Sequence, residues 1–281
     1  MKISKINSYA KINLALNING KKNSLHKIES IISFIDLYDV ITINHSKNDT
    51  HIISFYGRFS DNIGKKNTVE KLFKILDEKN LLNGKKFNVR IKKNIPQKSG
   101  LGGGSMNAAN ILNYLIKMKL IKITQRKLED ICNLIGSDVI LGINFSSCVL
   151  SSNNKIKKFY DCPKYFTLLV KPNFGCSTKK IYSRVTKFTK PKFSSSKKKM
   201  FYPKFLINQS NALQEIVFKS YPKIKKIASF LSETNNPIFV RMTGSGSTII
   251  AYFNSLKNCN LAKTRFKRKH KNYWCITSKT I

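Results

Sequence analysis

Acidic residues are scarce: Asp and Glu together number 14 in 281 residues, against 52 Lys and Arg, for a formal net charge of +38. Arginine is scarce too, with seven of the 52 basic residues (58, 90, 126, 184, 241, 265 and 268) and 45 Lys. Surfaces that read phosphates or bases recruit Arg, whose planar fork matches them. Here the lysines are scattered, with runs only at Lys197-Lys198-Lys199 and from Arg265 to Lys271. That pattern points to a compositional bias spread over the surface. It predicts non-specific attraction to polyanions and no specific nucleic-acid partner. No run approaches 18 apolar residues, which excludes a membrane-spanning helix. No C-x-x-C pair occurs among the six cysteines (132, 148, 162, 176, 259, 275), and the histidines at 26, 45, 51 and 270 are dispersed. A zinc site is therefore not expected. The cysteines read as reduced small hydrophobes, and Met1 to Ala10 carries no apolar signal core, so the expected compartment is the cytoplasm.

What remains is the composition of an ordinary globular chain, 41% hydrophobic and 11% aromatic, long enough for one large domain or two modest ones. Alternation predicts strands over Ile3–Leu16, over Ile31–Asn44 and at Phe87–Ile91. Helical spacing appears from Asn67 to Leu82, Asn107 to Lys119 and Leu128 to Ile135, the last behind a possible N-cap at Thr124. Beyond residue 150 the pattern restarts. Phe166–Val170 reads as a buried strand, Lys187–Lys204 as an exposed loop, Asn211–Phe218 and Ile224–Leu231 as helices. Phe239–Met242 and Ser247–Phe253 read as strands flanking a Gly-Ser-Gly turn. The expectation is an α+β chain with two domains, 1–150 and 151–281.

The most informative stretch is Pro96-Gln97-Lys98-Ser99-Gly100-Leu101-Gly102-Gly103-Gly104-Ser105-Met106, set after a strand and immediately before a helix. Glycines there let several backbone N–H groups turn toward one concavity, and the helix adds its unsatisfied N–H groups and positive dipole end. A phosphate-binding loop is mechanically sensible; a flexible linker is the bland alternative. No Gly-Lys-Ser/Thr follows, so this is not a Walker loop, nor is it the dinucleotide fingerprint.

This loop resembles the ATP loop of the GHMP kinase superfamily. Its Gly-Gly-Ser ending is similar to the branch that phosphorylates a cytidyl-diphosphate sugar alcohol for isoprenoid precursors. Three further segments fall in the order that family requires: Ala10-Lys11-Ile12-Asn13-Leu14, Ile135-Gly136-Ser137-Asp138-Val139 and Arg241-Met242-Thr243-Gly244-Ser245-Gly246-Ser247. The resemblance implies an amino-terminal α+β domain, a ferredoxin-like carboxyl-terminal domain, and a cleft for ATP and substrate. It also implies Asp138 as base or orienting group with Lys11 as its partner. Alone, Asp138 reads equally well as a turn or helix cap, and Lys11 is one of 45 lysines. The loop from Pro96 to Met106 would hold the phosphates, with Mg²⁺ carried on ATP rather than in a protein cage. By the same analogy Asn67 and Lys93 border the adenine, though both also read as surface residues.

For the second substrate the family places a histidine after Asp-Gly-Tyr, where it reads the cytosine edge while aromatic rings sandwich the base. Here the segment runs Gly20-Lys21-Lys22-Asn23-Ser24-Leu25-His26. His26 matches, Leu25 stands where a ring is expected, and the Asp-Gly is missing. Tyr182 is the candidate for another face of the stack, with Thr178 nearby; Asn13, Gly244 and Ser245 complete the candidate substrate contacts. Ile140-Leu141 replaces the family's Pro-Phe, and Lys98 and Met106 replace small loop residues. A homoserine or mevalonate-type kinase, a drifted inactive relative, and a basic nucleic-acid-binding α+β protein remain as alternatives. Oligomeric state is left open.

Overall fold

The structure, a computed structural model, describes residues 3–23 and 25–281 and, of Lys22, the backbone alone; Ser24 of the hairpin motif lies outside the described residues. The chain packs into two compact units. The first comprises the amino-terminal segment through Ala10, Leu37–Gln97 and Gly102–Phe145. The second comprises Lys11–Asp36, Lys98–Leu101 and Ser146–Ile281. Two long strands, β1 (Ser4–Lys22) and β2 (Leu25–His45), contribute to both.

In the first unit the carboxyl-terminal half of β2 pairs antiparallel with β4 (Phe87–Lys92), with Ile41 opposite Ile91 and Ile43 opposite Val89. Strand β3 (Ile52–Tyr56) joins β4 in parallel. All four of those aliphatic side chains are buried. They form one core with the apolar stripes of α1 (Thr68–Glu78), α2 (Gly103–Lys117) and α3 (Gln125–Ile135). Val69, Leu72, Phe73 and Leu76 supply the stripe of α1, at the i, i+3, i+4, i+7 spacing that puts them on one face. Asn67 starts α1 and Thr124 starts α3 by accepting backbone N–H groups.

In the second unit the amino-terminal half of β2 pairs with β5 (Ser147–Leu150), which pairs with β6 (Ile156–Phe159). The rest is a β-α-β-β-α-β arrangement. Among the described residues it has a four-stranded antiparallel sheet built from β7 (Phe166–Lys171), β8 (Phe239–Met242), β9 (Ile249–Phe253) and β10 (Trp274–Lys279). The order β10-β7-β9-β8 is that of a ferredoxin-like sheet. Five helices accompany it: α4 (Thr178–Tyr182), α5 (Pro203–Leu206), α6 (Gln214–Ser220), α7 (Pro222–Ser232) and α8 (Leu256–Lys269). Leu168, Val170, Ile249 and Ala251 meet Ile224, Ile227, Leu231, Ala262 and Phe266 in the second core.

The segment read as an exposed loop, Lys187–Lys204, is only partly so. Phe193, Met200 and Phe201 are buried. The physical reason is Glu29, fully buried on β2, whose carboxylate accepts the backbone N–H groups of Lys192 (2.7 Å) and Phe193 (3.0 Å) and draws the segment onto the hairpin.

Candidate active site

In the first unit the strand-to-helix junction is tied down by one carboxylate. Asp39 is fully buried, and one of its oxygens accepts the backbone N–H groups of Asn94 (2.8 Å) and Ile95 (2.9 Å). The other oxygen pairs with the Lys93 ammonium and accepts from the Asn107 amide at 3.0 Å. Asp39 thus grips the chain just before the glycine loop and the helix just after it. Lys93 is 4% exposed, so its charge is spent on this buried pair. Asn67 caps α1 through Oδ1, which accepts from Val69 and Glu70, while its amide donates to the Gly64 carbonyl.

Helix α2 opens at Gly103 behind Gly102, and Gly102 supplies no capping side chain; the first turn holds no acid. The helix start is therefore an anion position with its backbone N–H groups and dipole uncompensated by a side chain. Close packing shapes its wall. A Cβ on Gly103 would meet Ile95 at 3.0 Å, and the Gly104 carbonyl accepts the Thr68 hydroxyl at 2.7 Å. The Gln97 amide donates to the Phe59 and Asp61 carbonyls, and Pro96 and Met106 are buried. Asp138, half-buried, precedes a 3₁₀ turn at Val139–Gly142, and its carbonyl accepts the Leu141 N–H at 3.2 Å.

The second unit brings three of the sequence motifs together. Lys11 is 4% exposed, and its ammonium donates to Asn13 Oδ1 at 2.9 Å. Asn13 passes its amide hydrogen to Ser30 Oγ (2.8 Å), and its backbone N–H reaches Thr243 Oγ1 (3.0 Å). The Arg241 guanidinium binds the Leu14 carbonyl. Lys98 adopts a left-handed backbone, and Ser99 is buried, its carbonyl accepting the Thr248 N–H. The Lys11 N–H donates to the Leu101 carbonyl at 3.1 Å. Gly100, at φ +79°, lies so close to Thr243 that a Cβ would sit 2.2 Å from its carbonyl oxygen; a Cβ on the next residue, Gly244, would lie 3.0 Å from the Gly100 carbonyl oxygen.

His26 and Tyr182 are also brought together, with ring centroids 5.2 Å apart. Burial, and then the charge of Lys21, holds the imidazole below its ordinary pKa, so it is neutral near pH 7. Thr178 Oγ1 and Ser245 Oγ lie within a 2.9 Å hydrogen bond, linking α4 to the glycine turn after β8. Lys11 belongs to the second unit and Asp138 to the first.

Residue-level reading missed Asp39, Glu29 and Ser30. A signal existed: in a chain with 14 acids, one set inside an apolar strand such as Leu37-Tyr38-Asp39-Val40 or Ile28-Glu29-Ser30-Ile31 must be buried and fully hydrogen-bonded.

Models of the GHMP kinases N terminal domain and of the GHMP kinases C terminal domain match residues 67–151 and 200–272. The chain belongs to the GHMP kinase family. A 4-diphosphocytidyl-2-C-methyl-D-erythritol kinase of Pelagibacter ubique (strain HTCC1062) is 57% identical over 277 residues, covering 99% of both chains. A kinase of the same name from Clostridium beijerinckii is 30% identical over 95% of this GHMP kinase and 97% of the relative. Among solved structures, a 4-(cytidine 5'-diphospho)-2C-methyl-D-erythritol kinase superimposes with a TM-score of 0.78 at 18% identity, covering 98% and 99% of the two chains. Homoserine kinase from Cytophaga hutchinsonii gives 0.72 at 14% identity, covering 100% and 95%. At those identities the structural likeness speaks to the fold of this GHMP kinase alone. The fold is α+β with two GHMP domains, as the motif order implied.

Proposed function

We propose that this GHMP kinase transfers the γ-phosphoryl group of ATP to the 2-hydroxyl of 4-diphosphocytidyl-2-C-methyl-D-erythritol, a step of the non-mevalonate isoprenoid precursor pathway. The observation that carries the reading is the 57% identity, over 99% of both chains, to a relative of that name. The site supports it in two ways. The uncapped start of α2, walled by Ile95 and Thr68, suits the phosphates of ATP in the loop from Pro96 to Met106. The neutral imidazole of His26 beside Tyr182 suits a cytosine, because one ring nitrogen can hydrogen-bond the base edge while the Tyr182 ring offers the base a face.

In this reading the substrate hydroxyl oxygen attacks the γ-phosphorus, the bond from phosphorus to the β-bridging oxygen breaks, and ADP leaves. The hydroxyl proton passes to the Asp138 carboxylate. Lys11, held in line by Asn13, opposes negative charge on the transferring group. Mg²⁺ would be carried on the nucleotide phosphates, where it would neutralise charge, and no side chain is assigned to hold it. Asn67 and Lys93 border the adenine through the backbone they brace, Lys93 by its pair with Asp39. Asn13, Thr178, Gly244 and Ser245 are assigned to the cytidyl-diphosphate substrate. We place the domain boundary near residue 150, where the amino-terminal family match ends at 151. The activity is assigned to the cytoplasm, where the six cysteine thiols stay reduced. Among the described residues no helix is long and apolar enough to cross a membrane.

The test is phosphorus NMR of the product formed from Mg-ATP and the cytidyl substrate. A phosphomonoester on the tertiary 2-hydroxyl is expected from the wild type, and none from Asp138→Asn at unchanged ATP binding. Equal turnover by Asp138→Asn would remove that residue from the mechanism.

A further inference from the structure

The hairpin that carries His26 lacks an aromatic residue beside it. Leu25 stands there, 76% exposed, and an isobutyl group offers a base no π-face. A ring stands elsewhere. Phe188 lies with its centroid 6.5 Å from the same imidazole that Tyr182 approaches at 5.2 Å, and the two rings are tilted by 44° and 47° to it. Phe188 is 48% exposed although it is a large hydrophobe in a lysine-rich segment, so half of its surface is open to a partner.

Its place is held by the fold. The next residue, Thr189, donates its N–H to the Ile18 carbonyl at 2.8 Å, and its own carbonyl accepts the Asn19 amide at 3.1 Å. Three and four residues beyond Thr189, the buried Glu29 carboxylate takes the N–H groups of Lys192 and Phe193, and also the amide of Asn17 at 3.0 Å. The segment is thus fastened to both strands of the hairpin that carries His26. A ring fixed before its ligand arrives loses little ordering entropy on binding.

We infer that Phe188 is a substrate-contacting residue, whose ring stacks on the cytosine and supplies the face that Leu25 leaves open. The inference rests on the cytidyl reading above and deepens it. Stacking on one aromatic ring corresponds to roughly a 5- to 150-fold effect on affinity.

The experiment measures binding of CDP by calorimetry, and KM for the cytidyl substrate and for ATP, in wild type, Phe188→Ala, Phe188→Tyr and the double variant Phe188→Ala with Leu25→Tyr. Phe188→Ala is expected to weaken CDP and raise KM for the cytidyl substrate by about 5- to 150-fold, with KM for ATP unmoved. Phe188→Tyr is expected to keep wild-type values, and the ring returned at position 25 to recover part of the loss. Equal CDP affinity in wild type and Phe188→Ala overturns the inference and leaves the cytidyl reading standing. Wild-type protein that binds no CDP overturns both. A loss of ATP binding in parallel with CDP would show that Phe188 serves the fold rather than the base, and would overturn the inference as well.

Discussion

Gly100→Ala tests how tightly the glycine loop is built into the second unit. The residue has φ +79°, and a Cβ there would lie 2.2 Å from the Thr243 carbonyl oxygen and 3.0 Å from its carbon. Two costs follow. A left-handed Ala costs about 1–2 kcal/mol. Forcing a methyl into backbone that cannot rotate away costs about 1–3 kcal/mol more. Gly84 is the control, since it has φ +75° but, among the described residues, nothing within 4 Å of an added Cβ. Gly84→Ala carries the first cost alone, and the unfolded-chain entropy that Ala removes is common to both variants and cancels. At roughly 2–4 °C per kcal/mol for a chain of this size, thermal melting should fall by about 2–8 °C for Gly84→Ala. It should fall by about 4–20 °C for Gly100→Ala. The loop must also shift in Gly100→Ala, so KM for ATP should rise there and not in the control. Equal melting temperatures for the two variants would refute the close approach of Gly100 to Thr243.

Asp39→Ala leaves the Lys93 ammonium buried without its partner and strips two backbone N–H groups of their acceptor, so a loss of about 3–5 kcal/mol in chemical denaturation is expected. His26 has a lowered pKa, so its neutral form is favoured in the folded chain; CDP affinity should be flat above about pH 6.5 and fall as acid protonates the ring, whereas His26→Gln should lose the pH dependence. The +38 charge predicts RNA binding by lysine electrostatics alone, which should drop about a thousandfold or more between 50 and 200 mM salt. Binding that survives 200 mM salt would mean a built nucleic-acid surface.

Much of this was legible in the residues because the signals were local. Asn67 and Thr124 begin helices as the capping chemistry requires, and the stripes of α1 and α3 sit where the spacing put them. The motif order carried the family, since Lys11, the glycine loop, Asp138 and the Gly-Ser-Gly turn each have a characteristic neighbourhood. Helix α8 was hidden because its buried face is only Cys259, Ala262 and Phe266, small and sparse under a heavy lysine load. Strands β3, β5 and β6 are four or five residues long and half-exposed in places, too short for alternation to stand out. Helix α2 begins at Gly103, earlier than the apolar spacing from Asn107 suggested, because glycines carry no hydrophobic signal. The partnership of Phe188 with His26 spans 162 residues and depends on Glu29 and Asn19, which nothing local announces.

The central claim is tested most directly by ADP release from purified protein with Mg-ATP, comparing 4-diphosphocytidyl-2-C-methyl-D-erythritol with homoserine and mevalonate. The account predicts turnover with the cytidyl substrate and background rates with the other two. Background rates with all three, or turnover with homoserine or mevalonate in place of the cytidyl substrate, would contradict it.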